Sequence, residues 1–134
     1  MATVHGRNTV ITVATKDVSA WCKSSSLEIN PDVHDNTGYG ATWKTKNGGL
    51  IDGKFSMSGT YDNTASTGPG AALRPVVGTV VVVTRKLEGT GTGKPLDTFS
   101  AVAGKYVETS PVDDNVSWSQ DFEISGPVVT TTQA

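Results

Sequence analysis

The sequence predicts a mainly β fold, an antiparallel β-sandwich or barrel with one short flanking helix. Two segments alternate between apolar and polar residues, 116–126 (VSWSQDFEISG) and 53–61 (GKFSMSGTY). Successive side chains of a strand point to opposite faces, so each segment has one face for a core and one for water. Valine and threonine far outnumber leucine, which favours strands over helices. Six or more such strands at short spacing are typical of a sandwich or barrel.

Length, charge and cysteine content narrow the class of protein. A chain of 134 residues suits a single domain, 1–134, with a core at about 9–127 and flexible ends. The formal net charge of −2 leaves no basic footprint for sequence-specific nucleic-acid binding. Cys22 is the single cysteine, so neither an intrachain disulfide nor a cysteine zinc cluster can form. Without a signal-peptide or membrane-span pattern, we expect synthesis in a cytoplasm and no membrane partner.

The beginning of the chain predicts a strand, a turn and a second strand. The first strand is expected at 9–14, and in the turn that follows Asp17 and Ser19 can accept backbone N–H groups. Residues 24–30 (SSSLEIN) alternate in polarity and predict a short second strand. We expect Pro31 to end that strand.

A long connection is predicted at 32–52. This stretch is rich in glycine, asparagine, aspartate and threonine and shows no helical periodicity, so it predicts a loop. Loops of this length in compact domains are usually functional. It contains Tyr39 and Trp43, and an exposed tryptophan suggests a contact surface.

The middle of the chain predicts the helix and a central strand. A short helix is expected to start at 71–74, with Pro69 near its first turn and Pro75 ending it. The segment 76–86 is nearly all apolar in its middle, so it predicts a strand buried on both faces. The stretch 88–95 (EGTGTGKP) predicts a flexible hairpin loop.

Two long strands are predicted near the end of the chain, at 99–108 and 116–126. They are joined by SPVDDN at 110–115, which has the residues that turns need. We expect the tail VVTTTQA at 128–134 to be loose.

The histidines and the cysteine do not predict an active site. His5 and His34 lie in predicted loops, and neither has a recognisable nucleophile or carboxylate partner. Pairing of Cys22 with a histidine stays open, but a small buried cysteine is the favoured interpretation. We therefore expect no enzyme activity.

The acidic pairs and the glycine-rich loop do not predict a metal or cofactor site either. Asp32 with Asp35, and Asp113 with Asp114, lack the spacing of an EF-hand loop and lie where turns are expected. The stretch 88–95 lacks the spacing of a phosphate-binding loop, and no helix follows it. No cofactor is expected.

A series of short motifs along residues 10–128 carries a family resemblance. In the first half the motifs are DVS at 17–19, TGYG at 37–40, GL at 49–50, DG at 52–53, Ser56, SG at 58–59 and Asp62. In the second half they are GKP at 93–95, YVE at 106–108, SPVDD at 110–114, Val116, Trp118, Phe122 and SG at 125–126. In order and spacing they resemble the tail tube proteins of long-tailed bacteriophages. The haemolysin-coregulated proteins of type VI secretion are similar in fold.

The resemblance implies both an architecture and a role. Proteins of this family pack two antiparallel sheets with one flanking helix, and they form six-membered rings that stack into a hollow tube. This chain would then be a structural protein of the phage tail, made in the host cytoplasm. Its implied partners are copies of itself and the tape measure, tail terminator and tail tip proteins. DNA would pass through the lumen during genome delivery without specific binding.

Two sets of residues become candidates for this role. The lumen candidates are the polar side chains of the two alternating segments, Ser56, Ser58, Ser117, Ser119, Asp121 and Glu123. Acidic and hydroxyl groups would repel or merely wet a phosphate backbone, although an ordinary solvated face would alternate in the same way. The candidates for contact between rings are Tyr39, Trp43, Lys44 and Lys46. A floppy loop with its aromatic residue tucked onto its own domain is the alternative.

A different class of protein also fits a sandwich of this size. A monomeric carbohydrate-binding or adhesion module could use Trp43 or Trp118 as a stacking platform. The parity of Trp118 places it in the core with Val116 and Phe122, which argues against that use. Trp43 does not discriminate between the two classes.

Overall fold

The computed structural model describes residues 5–63 and 68–133, and strands dominate them. The strands are β1 (Val10–Val13), β2 (Lys16–Asp17), β3 (Cys22–Asp35), β4 (Lys46–Thr60), β5 (Val80–Lys86), β6 (Pro95–Thr109), β7 (Ser117–Ile124) and β8 (Val129–Thr132). A short α-helix, α1, spans Pro69–Leu73, and 3-10 turns lie at Gly6–Asn8, Ser19–Trp21 and Arg74–Val76. None of the helices in the described ranges has the length and apolar character to cross a membrane.

The strands form one antiparallel sheet that folds over on itself. Its order is β2-β1-β5-β6-β7-β4-β3, and β8 pairs with the beginning of β6. The first half of β6 pairs with β5, and residues 101–109 pair with β7. Phe99 in the first half touches Phe55 of β4, two strands away, with 5.5 Å between ring centroids. The expected sandwich is thus confirmed, with β6 shared between its layers.

The two layers can be named by their edge strands. The β3 layer contains β3, β4, β7 and the second half of β6, and the β1 layer contains β2, β1, β5, β8 and the first half of β6. One apolar cluster fills the space between them, and α1 contributes Leu73 to it. Trp118 is 2% exposed, and its indole N–H donates to the carbonyl of Thr60 at 3.1 Å. The core position predicted for Trp118 is confirmed.

Gln120 is the polar residue that interrupts the apolar face of β7. It is fully buried beside a bulge of β6, where Gly104 and Lys105 oppose Asp121 alone. Its side-chain amide donates to the carbonyl oxygens of Gly104 at 3.0 Å, Lys105 at 3.2 Å and Asp121 at 2.8 Å. The side chain of Gln120 thus bonds to both strands at the bulge, while its own Oε1 has no hydrogen-bond partner among the described residues.

The predicted loop at 32–52 is wrong, and so is the end of the strand at Pro31. β3 continues through Pro31 to Asp35, because β3 is an edge strand where a missing N–H leaves no ladder bond unmade. The returning strand β4 already begins at Lys46. Only residues 36–45 remain as a loop, at the tip of a long hairpin.

The strand at 76–86 is not buried on both faces. Val81 and Val83 are buried in the core, but Val80 is 64% exposed and Val82 is 52% exposed. The apolar run therefore has one core face and one apolar face open to solvent in the subunit. The helix also starts earlier than expected, at Pro69, and a 3-10 turn continues it to Val76.

The expectation of a loose C-terminal tail is wrong at 129–132. β8 pairs with β6 from Thr98 to Pro95. Beyond it, the side-chain amide of Gln133 donates to the carbonyl of Gly89 at 2.8 Å, and its Oε1 accepts from the N–H of Gly91 at 3.1 Å. The hydrogen bonds of Gln133 thus hold the C-terminal tail against the glycine-rich loop at 88–95. The expectation of a loose N-terminus concerns, in part, residues 1–4, which lie outside the described residues.

Candidate functional site

The polar residues of the two alternating segments share one face of the β3 layer. Their cross-strand partners are Lys54–Glu123, Ser56–Asp121, Ser58–Ser119 and Thr60–Ser117. On the other side of β4, Ser24, Ser26 and Glu28 of β3 lie opposite Ser58, Ser56 and Lys54. We call this set of β3, β4 and β7 residues the polar face. All six lumen candidates belong to it.

The polar face carries mixed charge and many hydroxyl groups. Lys54 lies between Glu28 on one neighbouring strand and Glu123 on the other. Lys105 is exposed at the bulge opposite Asp121. In the centre, the hydroxyl oxygens of Ser26 and Ser56 are 3.0 Å apart. Taken by itself, the segment 116–126 carries only acidic charges. In the folded sheet, however, lysines of β4 and β6 lie beside its carboxylates.

The β3 layer has two free edges. β3 is the terminal strand of the sheet, so one side of its backbone has no strand partner among the described residues. At the opposite border, residues 106–109 of β6 pair with β7 on one side, while the backbone bonds on the other side of β6 end at Ala103. Unpaired strand edges readily pair with another chain. The same four-stranded layer can therefore be extended at both borders.

The hairpin of β3 and β4 projects beyond the rest of the layer. β4 pairs with β7 only from Lys54 to Thr60, whereas its pairing with β3 continues down to Lys46. The stretch 29–53, which we call the arm, thus reaches roughly 25 Å past the layer at about 3.3 Å per residue. Apolar side chains on it are exposed, namely Ile29, Val33, Leu50 and Ile51.

Hydrogen bonds close the base of the loop at the tip of the arm. The N–H of Thr37 donates to Asp35 Oδ1 at 2.9 Å, and the Thr37 hydroxyl accepts from the N–H of Thr45 at 2.9 Å. The Thr37 hydroxyl also donates to Asp35 Oδ1, at 2.6 Å. These bonds hold the pKa of Asp35 below its ordinary value. The base of the tip loop is thus closed by bonds among Asp35, Thr37 and Thr45.

The predicted contact residues lie at this tip. Tyr39 and Trp43 are exposed, Trp43 by 83%, so neither aromatic side chain is tucked onto its own domain. Lys44 lies beside Trp43 in the tip loop, and Lys46 is the first residue of β4. Sequence reasoning missed the exposed apolar residues along the arm, because a predicted loop has no faces to assign.

Within the described residues, the fold shows the surroundings of the cysteine and of the acidic pairs that were candidate site residues in the sequence. Cys22 is partly buried, which raises the pKa of its thiol and disfavours the nucleophilic thiolate. No group of three or more histidine, cysteine, aspartate or glutamate residues is placed to hold a metal within 5–63 and 68–133. Asp35 and Asp114 make turn bonds as expected, the latter accepting from the N–H of Asn115 at 2.7 Å.

Comparison with solved structures relates this fold to known assemblies. The chain is similar to a protein in the tail of an empty gene transfer agent particle with C6 symmetry, with TM-score 0.76 and 13% identity over 97% of this chain and 100% of that one. It is similar to the SPP1 tail tube, with TM-score 0.75 and 8% identity over 98% and 80% of the two chains. Hcp1 from Flavobacterium johnsoniae matches with TM-score 0.54 and 16% identity over 93% and 95%.

Sequence comparison adds no family to these structural matches. No protein-family model matches this chain, and no curated protein matches it at a significant level. Identities of 8–16% over nearly the whole chain mean that the likeness lies in the backbone arrangement. The chain has the fold of phage tail tube proteins and of Hcp-like proteins.

Proposed function

We propose that this protein is a tail tube subunit of a bacteriophage, which polymerises as stacked hexameric rings into a conduit for genome delivery. The observation that most supports this proposal is a fold similar to that of tube proteins, in which the β3 layer has a polar face and two free edges. The relative with C6 symmetry supports six copies per ring. Such a protein is structural, belongs to the virion and needs no chemistry of its own.

The free edges support a mechanism for closing the ring. β3 and the second half of β6 run in opposite directions at the two borders of the layer, so β3 of one copy can pair antiparallel with β6 of the next. Four strands from each of six copies would close a barrel roughly 40–50 Å across between backbones. This width admits a DNA duplex after side chains are added. Closure also removes the exposed edges.

The polar face would line the lumen of that barrel. Its serine hydroxyls keep the wall wetted, while Asp121 and Glu123 oppose close approach of phosphates. Lys54 and Lys105 limit the net charge, so the wall holds neither an attractive nor a strongly repulsive field. DNA would pass without specific binding, as a conduit requires.

The arm would join one ring to the next. An isolated two-stranded ribbon is marginally stable in water, and this one exposes Tyr39 and Trp43 at its tip. Burial against an adjacent ring would remove these side chains from water, with Lys44 and Lys46 at the border of the contact. The ends of the tube would meet tape measure, terminator and tail tip proteins in an assembled tail.

Light scattering with negative-stain microscopy over a concentration series tests this function. Six-fold rings or stacked tubes with an open centre are the expected result. A monodisperse monomer at every concentration, even with a tail-tip initiator added, would contradict it and would favour the carbohydrate-binding or adhesion module. A sugar-array screen with Trp43→Ala as control would then test that alternative, since buried Trp118 offers no stacking surface.

A further inference from the structure

A cationic pocket opens between the edges of the two layers. It has a volume of about 570 Å³ and is bordered by the beginning of β3, the end of β5 and the N-terminal 3-10 turn. Four of its lining residues have basic side chains, namely His5, Arg7, Lys23 and Arg85. None of the described lining residues is acidic. The lining itself therefore presents positive charge, and the acidic groups near it in the subunit lie outside the lining: Asp97 is opposite Arg85 on β6, and Asp114 borders a second pocket together with Lys23.

One of these basic residues, Arg85, has a buried donor atom that lacks a partner among the described residues. Arg85 lies two residues after the buried Val83 on β5, so its side chain leaves the strand on the same face as that of Val83. The residue is partly buried. Its Nε is buried and has no hydrogen-bond partner in the part of the chain that the structure describes. A buried guanidinium donor without an acceptor is costly, and a carboxylate is the acceptor that best matches its geometry.

We propose that this pocket receives the β6–β7 turn, residues 110–115, of the neighbouring copy in a ring. This inference rests on the proposed ring. When β3 of one copy pairs antiparallel with β6 of the next, the end of β6 lies against the start of β3, where the pocket opens. The turn follows directly after β6 and carries Asp113 and Asp114.

The turn and the pocket also match in their other properties. Asp113 is exposed, and Asp114 uses one carboxylate oxygen for the N–H of Asn115, which leaves the other oxygen available. Val112 is fully exposed beside them, and Leu87 at the pocket is partly exposed. The contact would thus pair two carboxylates with the basic residues and cover two apolar side chains. It is heterologous, because the turn of one copy would meet the pocket of the next copy rather than the same surface of its partner.

Charge reversal with complementation tests the contact. The pocket variant carries Arg7→Glu with Lys23→Glu, and the turn variant carries Asp113→Lys with Asp114→Lys, all at exposed positions. Each variant alone places like charges across every contact, so we expect its critical concentration for assembly to rise at least tenfold. An equimolar mixture should restore assembly, because six subunits can alternate around a ring with opposite charges at every contact.

The controls separate this inference from the proposed function. Thermal melting verifies that both variants fold, and Lys86→Glu with Lys94→Glu reverses two charges that do not line the pocket. Assembly of the wild-type protein tests the proposed tube function and does not depend on which residues form the contact. If the wild-type protein forms tubes while either folded variant assembles equally well, or while the folded mixture does not assemble, the proposed contact is overturned.

Discussion

Gly59 shows how a single missing side chain brings the two layers together. It lies on β4 opposite Cys22, where the 3-10 turn at Ser19–Trp21 leads into β3. A Cβ atom at this position would lie 1.8 Å from the carbonyl oxygen of Trp21. Because that neighbour is backbone, it cannot rotate away as a side chain would. The link from the β1 layer to the β3 layer depends on this close approach.

Gly59→Ala should therefore destabilise the subunit by about 2–4 kcal/mol, as overpacking of a rigid contact does. For a domain of this size the melting temperature should fall by roughly 10 °C. The matched control is Gly48→Ala in the same strand, where nothing lies within 4 Å of the added Cβ atom and stability should be unchanged. Equal melting temperatures for the two variants would show that the backbones do not meet as described.

At the scale of elements, the arm combines a well-paired backbone with side chains that have no partner in the subunit. Its backbone pairing runs from Ile29 to Asp35, and a bulge at Gly49–Leu50 opposite Asp32 interrupts it once. The hydrogen bonds of Thr37 define the tip. Exposed aromatic residues on such a scaffold lose little conformational freedom when they bind, which suits a contact that repeats along a tube.

Tyr39→Ser combined with Trp43→Ser should leave the melting temperature unchanged, because both side chains are exposed. Stacking should weaken by roughly 2–4 kcal/mol, so the concentration needed for tubes should rise roughly 30-fold or more. Sedimentation of assembled tubes measures this change. Val129→Ser, which removes an exposed apolar side chain on β8, is the control. Tubes of normal length from the double serine variant would refute the role of the tip.

The elements that alternation predicts are those with one buried face. β7 and the second half of β4 were predicted because their core residues recur at every second position, and the six polar candidates share a face for the same reason. The arm was missed because both of its faces are exposed, so composition alone suggested a loop. β8 was missed because distant bonds to β6 and from Gln133 hold it in place. Contacts between residues that are far apart in the sequence leave no pattern in the local sequence.

The candidate site was predictable to the same extent. Sequence reasoning found the polar face and the aromatic residues of the tip, since each carries a local pattern. It did not find the cationic pocket, whose basic residues come from three separate segments and meet only after folding. The exposed valines of β5 were also assigned to the interior, because an apolar run does not reveal which face a neighbour covers.

At the scale of the whole molecule, the proposed lumenal role of the polar face requires that the face be repeated around a ring. Asp121→Lys with Glu123→Lys would convert a nearly balanced wall into a basic one that binds phosphates. In assembled virions we expect genome ejection to slow or stop, measured as DNA release after triggering. Glu88→Lys, in the β5–β6 loop, is the control. Ejection at the wild-type rate would count against a lumenal position for these carboxylates.

The apolar arm also has a kinetic consequence. In the proposed tube, a first ring would have nothing beneath it and its arms would stay in water, whereas every later ring would dock onto a finished surface and cover its exposed aromatic groups. Starting a filament would therefore be less favourable than lengthening one. Purified subunits should show a lag phase that preformed tube fragments abolish. In an infected cell such a barrier would keep a large pool of subunits unassembled until an initiation complex supplies the first docking surface.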